Sequence, residues 1–459
     1  LATRLKVSIR GTYKVVDAFA EAARTSLRFD VVVTNPPWEL LKPDRRELAS
    51  LLTASKTKYV AEMRAYDQWL ASAFPLSQPR RKFAGWGTNL SRVGLEASLK
   101  LTRSKGVLGI VLPASFLADD QSVSLRSALL TEHGLCSVAY YPAEFRLFES
   151  ADVPFVALTV HAHAGAMKSM TVSTCKSEGE TESTIRVDLD ALRKVDFVIP
   201  VSLGSELVAI KARLAKTLPT WADLEDGGLL WAGRELDETG INRWLGTCSE
   251  VPGPKFLKGR MVGRYQVIER PETCFNRPGW VAPASIAHSR IVWRDVSRPN
   301  QKRRLIAALA EPSWVAGNSL GVAYFRNGNR TRLLALLGVM NSTTFEFQLR
   351  AHLATGHVSL SSIRKVAVPP ISALDNAIDA AALVARAVKT GDECGFEVDA
   401  YVACCLYNLS EAEYGLVLDQ FSKLTSVERE QCLAHFRNFS DAEKTKQFCG
   451  VRMPDPEYC

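Results

Sequence analysis

Cysteine and long apolar runs are the scarce features of this 459-residue sequence. Its ten cysteines are scattered from Cys136 to Cys459 with no CxxC pair. That sparsity argues against a disulfide scaffold and a zinc ribbon, and for a reducing compartment. The longest apolar stretch, 106–118, contains a proline and falls short of the ~20 residues a membrane-spanning helix needs. What is present is ordinary: 47% hydrophobic and 23% charged residues, the balance of a globular chain with length for two to four domains.

The charge is unevenly placed. The net charge is +8 overall, yet residues 255–304 hold twelve basic and three acidic side chains. Residues 375–459 hold eight basic and fifteen acidic ones, which leaves +15 on everything before them. A clustered cationic block followed by an acidic tail is the pattern expected of a chain that neutralises phosphates. A solvated basic face is the plainer reading of the same charges.

Segment 28–34 (RFDVVVT) reads as a buried strand stopping at Asn35-Pro36-Pro37-Trp38. A helix is expected over 89–102, strands over 107–112, 136–141 and 153–163, and a further helix over 120–133. This is the grammar of a doubly wound α/β sheet, with the last two strands antiparallel because no helix separates them. The polar stretch 177–184 (SEGETEST) reads as a loop. Three segments follow from these patterns: a catalytic part over 1–199, a mixed part over 200–374 that holds the basic block, and a helical tail over 375–459. Ser410 with Glu413 is a capping box in that tail.

The tetrapeptide carries chemistry. Ligands of open α/β sheets bind at the carboxyl ends of strands, where this loop must sit. Two prolines remove two N–H donors and leave carbonyls. The Asn35 side-chain oxygen and the Pro36 carbonyl can therefore accept from one –NH2 group, while Trp38 offers a face for a planar base. Holding both hydrogens of a ring amine favours a pyramidal nitrogen whose lone pair can attack an electrophilic methyl group. No strong general base is required.

FDVVVTNPPW resembles the catalytic motif of the adenine-N6 DNA methyltransferases. The resemblance extends through NLSRVGLEASLKLTRSKGVLGIVLPASFL and YYPAEFRLFESADVPFVALTV. Residues 229–242, 289–311, 336–371 and 397–421 are similar to the target recognition domain and helical tail of TaqI-like (gamma class) and type IIG restriction-modification enzymes. The resemblance implies a Rossmann-like methyltransferase sheet followed by a mixed α/β recognition domain. It implies S-adenosylmethionine as methyl donor and transfer to N6 of a flipped-out adenine in duplex DNA. It also implies a cytoplasmic bacterial or archaeal protein that acts as a monomer on DNA, with a restriction endonuclease domain or subunit as partner.

Carried over residue by residue, Asn35, Pro36, Pro37 and Trp38 are catalytic, and Phe148 is the second aromatic wall, with Phe145 as its alternative. The DNA-binding candidates are Arg234, Lys258, Arg260, Arg264, Arg290, Arg294, Arg298, Lys302, Arg303, Arg304 and His357, joined by Gly356 and by the loop of Arg80, Arg81, Lys82 and Trp86. The family binds its cofactor with a Gly-rich loop upstream of the motif, and nothing before Asn35 provides one: Gly11 stands alone. With Leu1 in place of methionine, the expectation is a chain truncated at its N-terminus, or a split enzyme. The alternatives are a DNA-specificity subunit with a degenerate catalytic domain, and a methyltransferase of RNA or of protein amides. His161 and His163, two apart on an expected strand, have no third ligand in view, so no metal is expected. Pro43-Asp44-Arg45 lacks the remainder of a nuclease motif.

Overall fold

A computed structural model describes residues 15–79, 86–142, 153–176, 179–194, 196–199, 205–238, 240–297, 301–353 and 357–450. The chain forms two compact units, Leu1–Val201 and Ser202–Cys459.

The first unit is built on a six-stranded sheet in the order β1-β2-β4-β3-β5-β6. Its strands are β1 (Phe29–Thr34), β2 (Thr102–Pro113), β3 (Gly134–Tyr141), β4 (Phe155–His161), β5 (Ser169–Lys176) and β6 (Gly179–Arg186). β1 and β2 are parallel, with Val31 opposite Val107 and Thr34 opposite Ile110. β4 inserts antiparallel between β2 and β3, which makes the sheet mixed. The anticipated antiparallel pairing of β3 with β4 is present. β6 occupies most of the stretch expected to be a loop, pairing antiparallel with β5. A polar strand at a sheet margin needs no apolar alternation and so leaves little trace in sequence.

Among the described residues β1 is a terminal strand, hydrogen-bonded on one side only. Val32 packs on the core formed by Leu95, Leu108 and Ile110, whereas Phe29, Val31 and Val33 on the other face are 47%, 62% and 81% exposed. Between β1 and β2 lie a 21-residue helix, Thr53–Ala73, and a 12-residue helix, Leu90–Leu101. The second of these is buried from Ser91 to Leu99. Leu95 and Leu99 face the sheet, and Val93 and Ala97 pack with Leu70 and Phe74. Its two buried charges are satisfied locally. Arg92 donates to the carbonyls of Ser77 and Gly87 at 3.1 and 2.7 Å, and Glu96 accepts from the Ser77 N–H at 2.8 Å.

The histidines are arranged otherwise than the sequence suggested. His161 ends β4, but His163 lies beyond it in a left-handed turn (φ 51°), so the two do not share a strand face. His163 instead meets His133, with ring centroids 4.6 Å apart, and its backbone N–H donates to His133 Nδ1 at 2.9 Å. Burial, with the His163 charge adding to it, lowers the His133 pKa from 6.5 to about 4. The folded state therefore resists a proton that the unfolded chain accepts. This contribution to stability is complete above pH 6.5 and is lost as the pH falls from 6.5 toward 4, amounting to about 3 kcal/mol at His133, which is 4% exposed. His133→Asn, whose Oδ1 can replace Nδ1 as acceptor, is expected to flatten that slope. Urea denaturation of the wild type and the variant at pH 7.5 and pH 4.5 checks it.

The second unit carries two four-stranded sheets, β13-β9-β10-β8 and β12-β11-β14-β7. Their strands are β7 (Leu230–Gly233), β8 (Leu245–Thr247), β9 (Lys255–Leu257), β10 (Thr273–Phe275), β11 (Arg290–Arg294), β12 (Ala307–Ala310), β13 (Trp314–Ala316) and β14 (Leu320–Phe325). Cys248, just past β8, is disulfide-bonded to Cys274 within β10, a pairing that the scattered cysteines gave no reason to expect. One apolar core takes in Trp221, Trp293 and Phe345 as well as Val384, Val398, Tyr414 and Phe436. The acidic helical segment thus packs into the same core as the basic block. Its capping box is present, with Ser410 and Glu413 bonded reciprocally.

Candidate functional site

Asn35–Trp38 leave β1 at the end where β2 closes on Pro113. Immediately afterwards the chain is tied to the start of helix Leu90–Leu101. Leu90 N–H donates to the Glu39 carbonyl at 2.9 Å, and Leu41 N–H donates to the Thr88 carbonyl at 2.8 Å. The loop is therefore pinned at both ends.

Pro36 is buried while Asn35 and Pro37 are exposed. Among the described residues nothing donates to the Asn35 side chain or to the Pro36 carbonyl. Two acceptors set on a rigid, proline-stiffened turn are thus uncommitted within the described fold. The half-buried Trp38 ring lies 6.1 Å from Phe155, and Phe155 stacks on Tyr141 at 4.7 Å with planes 12° apart. Sequence reasoning missed Phe155 and Tyr141. The signal was the pair of flanks YYP and VPF, which the antiparallel register of β3 and β4 sets opposite one another, Tyr141 to Phe155. Phe148, Phe145, Arg80, Arg81, Lys82, Arg298 and Gly356 lie outside the described residues.

Among the described residues before the motif the expected cofactor has no glycine-rich seat. Residues 15–34 contain no glycine. They form β1 and a seven-residue helix, Ala18–Arg24, whose N-terminal amides are already capped by Asp17. A loop able to cradle the ribose and methionine parts of S-adenosylmethionine is absent from them. Among the described residues no group of three or more His, Cys, Asp or Glu side chains could hold a metal, and no helix is long and apolar enough to cross a membrane.

In the second unit the structure sorts the cations that the sequence could only count. Arg290 and Glu235 are both 0% exposed and joined at 2.7 Å. Arg303 bonds Glu346 at 2.9 Å and Asp399 at 3.2 Å, and Arg264 reaches Asp392 at 2.5 Å. Burial alone would raise the Glu346 pKa, but Arg303 and Arg350 more than offset it and hold the carboxylate ionised. Arg304 is buried and donates to the Ser297 carbonyl at 3.3 Å. These four arginines hold the unit together. Arg290, Arg303 and Arg264 are committed to carboxylates within the unit, and Arg304 is buried, which leaves these four less available to a phosphate than the sequence suggested.

The remainder are partly accessible. Lys302 pairs with Glu428 at 2.5 Å, and Arg234 and His357 share Asp295 at 2.7 and 2.8 Å. Lys258, Arg260 and Arg294 converge on a cleft of about 400 Å³ that also takes in Glu238 and Ser319. The Glu238 carboxylate there already accepts from the N–H and hydroxyl of Ser319, each at 3.3 Å. Arg294 donates through Nε to the Val262 carbonyl at 2.6 Å, and Arg260 stands 3.6 Å from Glu269 with both side chains exposed. Among the described residues Lys258 and Arg294 have no carboxylate partner.

No protein-family model matches the chain, and no curated protein matches it. Solved structures do. The type IIL restriction-modification enzyme MmeI, in complex with DNA, is similar over 90% of this chain at 10% identity with a TM-score of 0.45. The type IIG restriction endonuclease BpuSI is similar over 93% at 14% identity and 0.34. The type I restriction enzyme EcoKI M protein (EC 2.1.1.72) is similar over 32% at 13% identity and 0.20. This chain spans a little over half of the first two, 57% and 56%.

Proposed function

We propose that the chain is the base-holding and DNA-recognising part of an adenine-N6 DNA methyltransferase from a restriction-modification system. The observation that carries the reading is the turn at Asn35–Trp38: two acceptors without a described donor, on a proline-fixed backbone, beside a tryptophan backed by Phe155. An adenine inside a duplex cannot reach such a turn, so the base must leave the stack. Asn35 Oδ1 and the Pro36 carbonyl accept the two amine hydrogens, and the Trp38 face takes the ring. Phe148 is assigned to the opposite face by resemblance. S-adenosylmethionine is the methyl donor the resemblance implies, and it supplies a sulfonium-bound methyl group. Residues 15–34 offer this donor no glycine-rich loop, so its main seat is assigned elsewhere in the protein or to a second chain.

In the second unit the proposed phosphate contacts narrow to Lys258, Arg260 and Arg294, with Arg234, Lys302 and His357 at accessible positions. Changing Lys258, Arg260 or Arg294 to Ala is expected to weaken binding to duplexes of any sequence and to reduce the slope of log K against log salt by about 0.9 each. Changing Arg290 or Arg303 is expected to lower stability instead. Fluorescence anisotropy across a salt series, beside thermal melts, separates the two groups.

Incubating the protein with radiolabelled S-adenosylmethionine and genomic DNA lacking adenine methylation, then digesting to nucleosides, tests the reading. N6-methyladenine supports it. Label found in RNA or protein glutamine, and not in DNA, overturns it. A second reading, a DNA-specificity subunit without its own activity, is favoured by the glycine-free stretch before Asn35. It predicts DNA binding with no transfer even when the complete reading frame is expressed.

A further inference from the structure

Glycine is disfavoured inside helices, yet Gly94 sits fifth in the buried helix Leu90–Leu101. It has no left-handed φ to explain it. Space explains it. A Cβ at position 94 would stand 2.8 Å from Pro36 Cγ and closer still to Pro36 Cβ, distances real Cβ atoms essentially never show. Neither partner can give way. The Pro36 ring is covalently locked to its backbone and buried. The helix is held on two other sides by Leu95 against the sheet and Val93 against Leu70 and Phe74, with both Val93 and Leu95 0% exposed.

We infer that Gly94 is a positioning residue: the notch left by its missing side chain is the seat of Pro36, and it sets where the Pro36 carbonyl, the Asn35 amide and the Trp38 ring stand. The inference rests on the reading of Asn35–Trp38 as the base-holding turn. Filling the notch pushes the turn away from the helix while the bonds of Glu39 and Leu41 to the helix start hold the chain just beyond it. A displacement of about 1 Å at a reacting group is enough to lower a rate by roughly 10²-fold.

Gly415 supplies the control. It too is helical, within Glu411–Asp419, but nothing lies within 4 Å of a Cβ built there. Gly94→Ala and Gly415→Ala are compared in the full chain, labelled with 5-fluorotryptophan, with the Trp38 resonance assigned through Trp38→Phe. Gly415→Ala is expected to raise Tm by ~1–4 °C and to leave the Trp38 resonance and methyl transfer unchanged. Gly94→Ala is expected to shift the Trp38 resonance and to lower the single-turnover transfer rate roughly 10²-fold while DNA affinity holds. An unshifted resonance with an unchanged rate overturns the inference. If no methyl group is transferred even when the complete reading frame is expressed, the methyltransferase reading fails and the resonance still decides the seat. Should Gly94→Ala fail to fold, the same change in a Pro36→Gly background, where no ring remains to be struck, is expected to fold with the Tm of Pro36→Gly alone. Failure to fold in both backgrounds also overturns it.

Discussion

Asn35→Ala is expected to abolish methyl transfer while leaving DNA affinity within roughly twofold, because phosphate contacts and not this side chain supply most of the binding. The side chain is exposed and bonded to no described residue, so truncating it removes no packing and no internal hydrogen bond. What is lost is one of two acceptors on the target amine. With the Pro36 carbonyl alone, the amine hydrogens are no longer both held, and the nitrogen lone pair stays delocalised into the ring. Removing one preorganised hydrogen-bonding group from a reacting centre typically lowers the rate by about 10²–10³-fold, and here the group also orients the nucleophile. Asn35→Asp keeps an acceptor and is expected to retain more rate than Asn35→Ala. Single-turnover transfer on a methylation-free duplex, paired with anisotropy titrations, checks both. Full transfer by Asn35→Ala would refute the assignment of the turn.

Glu235→Ala is expected to be the most damaging single change for the stability of the second unit. The Glu235 carboxylate accepts from Arg290 Nε at 2.7 Å and Nη2 at 3.2 Å, from the Ser285 hydroxyl at 2.6 Å and from the Ala316 N–H at 2.7 Å. Arg290 further donates to the carbonyls of His288, Glu311 and Trp314. The pair thus ties β11 to β13 and to the chain after β7. With both residues 0% exposed, deleting the carboxylate strands a guanidinium in a place water cannot reach. Breaking such a pair costs about 3–5 kcal/mol, or a fall in Tm of ~10 °C for a unit of this size. Replacing both members together, Arg290→Met with Glu235→Leu, is expected to recover much of the loss, since no charge then needs a partner. Differential scanning calorimetry of the two variants beside the wild type decides. A Glu235→Ala protein melting with the wild type is incompatible with a buried pair.

The legible parts of the molecule were those that local chemistry dictates. A β-branched run halted by two prolines can hardly be anything but a strand and its exit, and β1 followed by Asn35–Trp38 is there. The lack of a helix between β3 and β4 was enough to anticipate their antiparallel pairing. Where the outcome depends on distant residues, the sequence was silent. Arg290 meets Glu235 across 55 residues, and Arg303 meets Glu346 and Asp399 across 43 and 96. A tally of cations could not separate a phosphate contact from a core ion pair. The 21-residue helix before Phe74 went unread because its apolar residues do not keep to one face. Phe155 went unread because only the register of β4 brings it beside Trp38.

Among the described residues, the strand that delivers the turn is bonded along a single edge, with Val31 and Val33 facing out. Such a strand is the first of a sheet to open, since fewer bonds must break together. The turn therefore does not inherit its order from β1. It inherits it from the helix beneath, a rigid body with nine consecutive buried residues. In mechanical terms the strand is a tether and the helix is the anvil. The tightness of the turn and the breathing of the strand are separate quantities, so β1 can fluctuate without loosening the turn.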